Sequence, residues 1–259
     1  MGPDPRALAA PPPRLHSGVM SAAPTFDFAG QPFRMLADRA LFWPRHGALI
    51  VADLHLEKAS WYAALGQPLP PYDSHDTLDR LAALAAETGA RAIWCLGDSF
   101  HDRDAAERIV PAVAERLSGQ TAAAKLLWIA GNHDGLSGGA WGGDVADELV
   151  VDGIVFRHQS QGSETRPEIS GHFHPKLRIN VRGRPISRPC FAGDAQRLIL
   201  PAFGSLTGGL AADDPVIAAN FAGPYAAMLV ARGRQLRFPC SSRGANDATA
   251  SPPTRQTNA

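Results

Sequence analysis

The chain has 259 residues, 45% of them hydrophobic and 19% charged, which is enough for a packed core and excludes wholesale disorder. Its 25 Lys and Arg balance 25 Asp and Glu, so net charge gives no argument for nucleic acid or an anionic membrane, and only local patches remain. Cys95, Cys190 and Cys240 are odd in number, widely spaced and without a CxxC pair, which excludes a disulfide framework and a cysteine zinc site and predicts a reducing, cytoplasmic setting. No apolar run approaches the roughly 18 residues of a transmembrane helix. Prolines from Pro3 to Pro13 interrupt any secretory h-region.

In chain order, residues 1–24 are rich in Pro, Ala and Arg and are expected to be a disordered tail, with Met20 an alternative start. Residues 25–238 are expected to form one domain. Phe33–Trp43 and Ala48–Ala52 have the character of strands joined around Pro44–Gly47. A helix is predicted over Ser74–Thr88, with Leu78, Leu81, Leu84 and Ala85 on one face and Gly89 ending it. Arg91–Leu96 and Leu126–Ala130 are apolar strands on either side of a second amphipathic helix at Asp104–Leu117. The remainder has mainly strand character, at Glu148–Val151, Ile154–His158, Lys176–Val181, Pro185–Phe191, Arg197–Pro201, Ala226–Ala231 and Gln235–Phe238. Residues 239–259, of Ser, Thr, Pro and Asn, are expected to be a second disordered tail. Alternation of strand and helix followed by strands alone predicts two packed sheets with helices outside, and no internal repeat is present.

Four segments place Asp, His or Asn directly after an apolar strand, beside Gly or another small residue. They are Ala52-Asp53-Leu54-His55, Gly97-Asp98-Ser99-Phe100-His101-Asp102, Gly131-Asn132-His133-Asp134 and Gly171-His172-Phe173-His174-Pro175. In α/β sheets the carboxyl ends of strands are where ligands bind. In an extended segment, residues i and i+2 point the same way, so Asp53 with His55, and His172 with His174, are each expected to grip one ion together. Gly97, Gly131 and Gly171 allow close approach or a sharp turn. A mixed nitrogen and oxygen donor set suits Mn²⁺, Fe or Zn²⁺ better than Ca²⁺. Two such ions, about 3.5–4 Å apart, can activate a bridging hydroxide and clamp a phosphoryl group.

DLH, GDSFHD, GNHD and GHFHP in this order resemble the signature of the calcineurin-like metallophosphoesterase superfamily. DLHLEK, GDSFHD, the Pro189-Cys190-Phe191 run and LPAFGSLTGGL at Leu200–Leu210 narrow the resemblance to the bacterial ligase-associated DNA damage response endonuclease family, PdeM, over roughly residues 30–238. The resemblance implies a four-layer sandwich of two mixed β-sheets flanked by helices. It implies two divalent ions, most naturally Mn²⁺, with Asp53, His55 and His174 on the first, Asn132, His158 and His172 on the second, and Asp98 bridging. His133 then stabilises the phosphate or protonates the leaving oxygen, and Asp134 orients His133 or a ligand histidine. His101 and Asp102 stand where many relatives carry other residues and are candidates for substrate binding or for supporting a ligand. One departure is Phe156-Arg157-His158-Gln159, which lacks the glycine usual beside that histidine. The implied activity is hydrolysis of a phosphodiester by a metal-bridging hydroxide. DNA or a related phosphodiester is the implied substrate, in repair alongside a ligase, a helicase and an exonuclease.

Simpler readings compete at single positions. Asp53 or Asp98 alone is accounted for as a helix N-cap, and Asn132 as a turn residue. His16, His46 and His75 are read as solvated. Arg157, Arg178, Arg182, Arg184 and Arg188 are read first as a solvated strand face and second as a guide for a phosphate backbone. Trp61 and Tyr62 are read as helix packing before base stacking. Leu200–Leu210 is read as a tight structural turn, and Cys95 as an inert core residue. A phosphomonoesterase or nucleotide pyrophosphatase would use the same site, and a metal-depleted binding module or a nucleic-acid-binding accessory protein are the readings from other classes.

Overall fold

A computed structural model describes residues 23–133 and 137–240. Both expected tails lie almost wholly outside the described residues, as does Asp134. The first sheet is built from β1 (Thr25–Phe28), β2 (Gln31–Met35), β3 (Leu41–Trp43), β4 (Ala48–Val51), β5 (Ala92–Leu96), β6 (Lys125–Ile129) and β7 (Asp144–Ala146), in that spatial order. β1 to β4 pair antiparallel, whereas β4 to β7 pair parallel. Helices α1 (Lys58–Ala64), α2 (Asp73–Thr88), α3 (Ala105–Arg108) and α4 (Pro111–Ala123) provide the connections among β4, β5 and β6.

The second sheet contains β8 (Glu148–Val151), β9 (Ile154–Arg157) and β10 (Glu168–Ser170). The chain then leaves it for a separate two-stranded hairpin, β11 (Lys176–Val181) and β12 (Arg184–Pro189). It returns through β13 (Phe191–Gly193), β14 (Arg197–Ile199), helix α5 (Pro215–Ala218), β15 (Tyr225–Ala231) and β16 (Arg234–Cys240). The order is β16-β15-β13-β14-β10-β9-β8, with β9, β10 and β14 parallel.

Alternation along the strands divides the cores. On β4, Leu49 and Val51 face Leu78, Leu81 and Leu84 of α2, while Ile50 faces the other sheet. Between the sheets, Trp43, Ile50, Trp94 and Ile129 pack against Ile154, Phe156, Ile169 and Met228. Beyond the second sheet, Ile217 and Ala218 of α5 pack on Ala192 and Ile199, and Leu177 of the hairpin packs on Cys190 and Ala227. These are the four layers expected: helices, sheet, sheet, then helix and hairpin.

Several boundaries differ from the sequence reading. Phe33–Trp43 is two strands, because the chain reverses between Met35 and Leu41 with Arg39 at φ 67°. The helix expected over Asp104–Leu117 breaks before Pro111, where Val110 is extended as a residue preceding proline must be. The strand expected over Pro185–Phe191 divides at Cys190 into β12 and β13. β16 continues through Pro239 to Cys240, which pairs with Tyr225, so residues 239 and 240 belong to a strand and not to the expected tail. His46 is not simply solvated: Nε2 lies 3.0 Å from Asp152 Oδ2 and the ring meets Trp43 edge-on. No helix among the described residues is long and apolar enough to cross a membrane.

Candidate metal centre

All the candidate ligands sit just past the carboxyl ends of parallel strands, on both sheets. Asp53 and His55 follow β4, Asp98 follows β5 and Asn132 follows β6. His158 follows β9, and His172 and His174 follow β10. The loops lace together through backbone bonds. His55 N–H donates to Asp98 O at 2.9 Å, Gly171 N–H to His158 O at 2.8 Å, and Phe203 N–H to Ala52 O at 2.8 Å.

The expected extended geometry is not what aims these side chains. Asp53 (φ 54°), His55 (45°), Asp98 (46°), His172 (73°) and His174 (48°) all adopt left-handed backbone. Asp and His tolerate this region better than most residues. Even so, each such residue costs about 1–3 kcal/mol and persists only where its surroundings impose it. Left-handed turns spread the ligands differently from a strand. Asp53, His55 and His174 form one cluster, and Asp98, His158 and His172 form a second, each with its donor atoms within 4.8 Å of one another. His172 and His174 therefore fall into different clusters, against the i, i+2 expectation.

In the first cluster His55 Nε2 lies 3.3 Å from His174 Nε2, and His174 Nε2 lies 3.4 Å from Asp53 Oδ1. In the second, His158 Nε2 is surrounded by Asn132 Oδ1 at 2.8 Å, His172 Nδ1 at 3.1 Å and Asp98 Oδ2 at 3.3 Å. His158 Nδ1 lies 3.1 Å from the carbonyl of Leu96. A carbonyl only accepts, so Nδ1 carries the proton that this bond uses, and Nε2 is the atom aimed into the cluster. The Asp53 carboxylate also accepts the His172 N–H, at 3.0 and 3.2 Å. His158 Nδ1 lies 3.7 Å from Asp53 Oδ1, so the two clusters adjoin.

The electrostatics leave His55 and His172 as neutral donors, whereas His158 holds a proton that a cation would have to displace. Burial, followed by the neighbouring His174, lowers His55 to about 3, which leaves a neutral imidazole. Burial and His158 lower His172 as well. Burial opposes charge on Asp98, but its hydrogen bond to His158 outweighs this and brings it to about 2. Burial likewise opposes charge on His158, which Asp98 and Asp53 nonetheless raise to about 9. Each cluster thus presents two imidazoles and a carboxylate at a buried point, a donor set that fits Mn²⁺, Fe or Zn²⁺.

His133 stands at the mouth. Its side chain is 45% exposed, with Nε2 3.8 Å from Asp98 Oδ2, while its N–H donates to Asp98 Oδ1 at 3.0 Å. The His101 ring stacks on it with centroids 5.7 Å apart. His101 Nδ1 lies 3.4 Å from His55 Nδ1, behind the atom His55 turns towards His174. Trp61 meets His101 edge-on at 4.9 Å, so its packing partner is the site itself. Asp102 is occupied elsewhere, by Arg108 and by the Asp104 N–H at 2.8 Å.

Sequence reasoning anticipated close approach at Gly97 and Gly171, but not the groups they make room for or the other supports. Gly97 leaves room for an imidazole, since a Cβ there would meet His158 Nδ1 at 2.3 Å. At Gly171 it would meet Asp53 Oδ2 at 2.6 Å, and at Gly204 the carbonyl of Leu54 at 2.1 Å. Buried Glu57 donates its N–H to Ser74 Oγ at 2.8 Å, and its carboxylate accepts that hydroxyl at 2.9 Å, which ties the first ligand loop to α2. Arg157 is not part of a solvated face. It is 4% exposed, with Nη2 2.9 Å from both Glu148 and Glu164 and Nε 3.5 Å from buried Glu168. The charged pattern Glu148, Arg157, Glu164, Glu168 was visible, but its pairing was not.

A model of the calcineurin-like phosphoesterase family matches residues 48–162. A solved nuclease from Pseudomonas putida, MPE, is 32% identical with a TM-score of 0.65, over 83% of this chain and 99% of that one. The phosphoesterase Yfce from E. coli aligns at 12% identity and a TM-score of 0.37, over 76% of this chain and 99% of that one. Vacuolar Protein Sorting 29 from Cryptosporidium parvum aligns at 13% and 0.31, over 75% and 96%. No curated protein matches. The family match runs from β4, ahead of Asp53, past His158, and the nuclease is matched over nearly its whole length, so the chain belongs to the calcineurin-like phosphoesterases, metal-dependent hydrolases of phosphate esters.

Proposed function

We propose that the protein is a two-metal phosphodiesterase acting on nucleic acid, with Mn²⁺ its natural ion and DNA its substrate. The observation that carries this reading is the adjoining pair of clusters, each with two imidazoles and one carboxylate. Asp53, His55 and His174 would hold one ion and Asn132, His158 and His172 the other, with the Asp98 carboxylate offered to both. Bound ions supply a nucleophile from water and offset the charge that develops on a phosphoryl group.

The remaining work falls to the chain's own groups. His133, exposed at the mouth, donates a hydrogen bond to a phosphoryl oxygen and a proton to the leaving oxygen. His101 holds the His55 ring by its rear nitrogen and so positions it. Asp134 follows His133 and is assigned to orient it. The similarity to a nuclease supports a nucleic-acid diester over a monoester. The PdeM-like motifs support a repair setting with a ligase, a helicase and an exonuclease, and the cysteine usage supports the cytoplasm.

The test compares bis-p-nitrophenyl phosphate with p-nitrophenyl phosphate on metal-stripped protein with added Mn²⁺. The expected result is Mn²⁺-dependent diester hydrolysis that Asp98→Ala and His133→Ala each reduce by about 100-fold or more. A preference for the monoester would make the protein a phosphatase. No turnover of either ester by folded, metal-loaded protein would replace the enzyme with a binding module.

A further inference from the structure

Charge is unevenly placed in this neutral chain. Between Ile169 and Gly193 there are five cations, Lys176, Arg178, Arg182, Arg184 and Arg188, and no Asp or Glu. The segment is the β11–β12 hairpin, which stands apart from both sheets and starts two residues after His174. The four arginines are exposed, and among the described residues none of the five cations is within ion-pair distance of a carboxylate. At about 3.3 Å per residue, the tip at Arg182 lies about 20 Å along the strand from Lys176.

Beside the hairpin runs a groove of about 650 Å³. Ile179, Ile186, Leu236 and Phe238 line it, together with Arg39 and Arg188. Arg39 connects the groove to the metal loops, because its Nη1 donates to Gly204 O at 3.1 Å and Gly204 N–H donates to Asp53 O at 3.1 Å. An apolar lining with arginines beside it is complementary to a strand that presents bases to one side and phosphates to the other.

We propose that the β11–β12 hairpin and its groove bind the nucleic-acid strand next to the scissile phosphate, with bases on the apolar lining and phosphates on Arg182, Arg184 and Arg188. The proposal rests on the phosphodiesterase reading and adds a surface to it. An acidic protein would satisfy the charges equally, but the groove's connection to a phosphoryl-transfer site favours a strand that continues into that site.

The experiment measures binding of a single-stranded oligonucleotide to the full chain by fluorescence anisotropy over a range of salt, with divalent ions chelated so that nothing is cut. Turnover of bis-p-nitrophenyl phosphate with Mn²⁺ is followed in parallel. The triple variant Arg182→Asn, Arg184→Thr, Arg188→Thr is expected to bind about 10–100-fold more weakly at low salt. Its slope of log K against log salt should be shallower by about 2, from about 0.7 per phosphate contact. The triple lysine variant should keep that slope. Leu236→Glu, at a position 40% exposed in the groove, should weaken binding without unfolding the chain. Diester turnover should be unchanged in all of them.

Unchanged oligonucleotide affinity and slope in the triple variant would overturn the proposal. So would binding of a glutamate polymer in place of the oligonucleotide, which would assign the hairpin to an acidic partner. Loss of diester turnover in wild-type protein is a separate outcome. It would sink the catalytic reading, while an altered salt slope would still support the hairpin as a nucleic-acid surface.

Discussion

The Nε2 atoms of His55 and His174 face each other across 3.3 Å, although 119 residues separate them in the chain. Behind His55, Nδ1 meets His101, so the ring is held from the rear while its front is left facing another imidazole. A bound cation would satisfy both. At about 100 times Kd, a bound ion adds about 2.7 kcal/mol of stability. That corresponds to a rise of about 5–11 °C in Tm at about 2–4 °C per kcal/mol. Scanning calorimetry with and without Mn²⁺ should show this rise, and His55→Ala should lose at least half of it. An undiminished rise in His55→Ala would place the ion elsewhere.

Gly97 and Gly30 have nearly the same φ, 74° and 72°, but different surroundings. A Cβ at Gly30 meets nothing within 4 Å, whereas at Gly97 it meets the His158 ring. Gly30→Ala is therefore expected to cost only the backbone penalty of about 1–2 kcal/mol and to retain full turnover. Gly97→Ala should displace His158 and reduce diester turnover by about 100-fold or more, as misplacement of catalytic groups by about 1 Å does. Turnover of the two variants, normalised to folded protein by circular dichroism, separates space from strain. Equal turnover would show that the room beside His158 is not needed.

Arg157 is the cation facing buried Glu168, and its Nε and Nη1 have no hydrogen-bond partner among the described residues. Removing one member of a buried pair leaves the other uncompensated, so Arg157→Met should cost about 3–5 kcal/mol in urea unfolding. Adding Glu168→Gln should recover more than half of the loss. A single-variant cost under about 1 kcal/mol would mean that water solvates Glu168 after all.

The thiolate is the reactive form of cysteine. Burial, with a smaller effect from Cys240, pushes Cys190 up to about 12, so at pH 8 it is almost wholly protonated. Native protein treated with iodoacetamide at pH 8 should be alkylated at half-buried Cys240 well before Cys190, as peptide mass spectrometry would reveal. Labelling of Cys190 at the rate of a free thiol would show that the hairpin opens from the sheet beneath it.

The four strand-end segments were legible because their residue types are rare in that setting and recur in order. The period-2 and period-3.6 patterns likewise located most strands and the α2 helix. Short elements escaped. β10 is three residues long, with Glu168 inside it, and its identity comes from parallel neighbours on both sides. Alternation alone paired His172 with His174 because it assumes extended backbone, whereas both are left-handed and fall into the separate groups that the family resemblance implied. Left-handed Asp and His have no sequence signature comparable to glycine's. Arg157 was placed with its exposed neighbours because sequence shows charge but not the three carboxylates that folding brings around it.

Each cluster draws its side chains from both sheets: Asp53 and His55 with His174 in one, Asp98 and Asn132 with His158 and His172 in the other. The side chains between the sheets therefore act as a spacer. The width of the layer that holds Trp43, Ile50, Phe156 and Ile169 fixes how far apart the two jaws of the site stand. Because interiors are close-packed and do not yield smoothly, trimming one of these buried residues resets the gap between donor atoms that it never touches. The gauge of the reaction is thus kept in the driest part of the molecule.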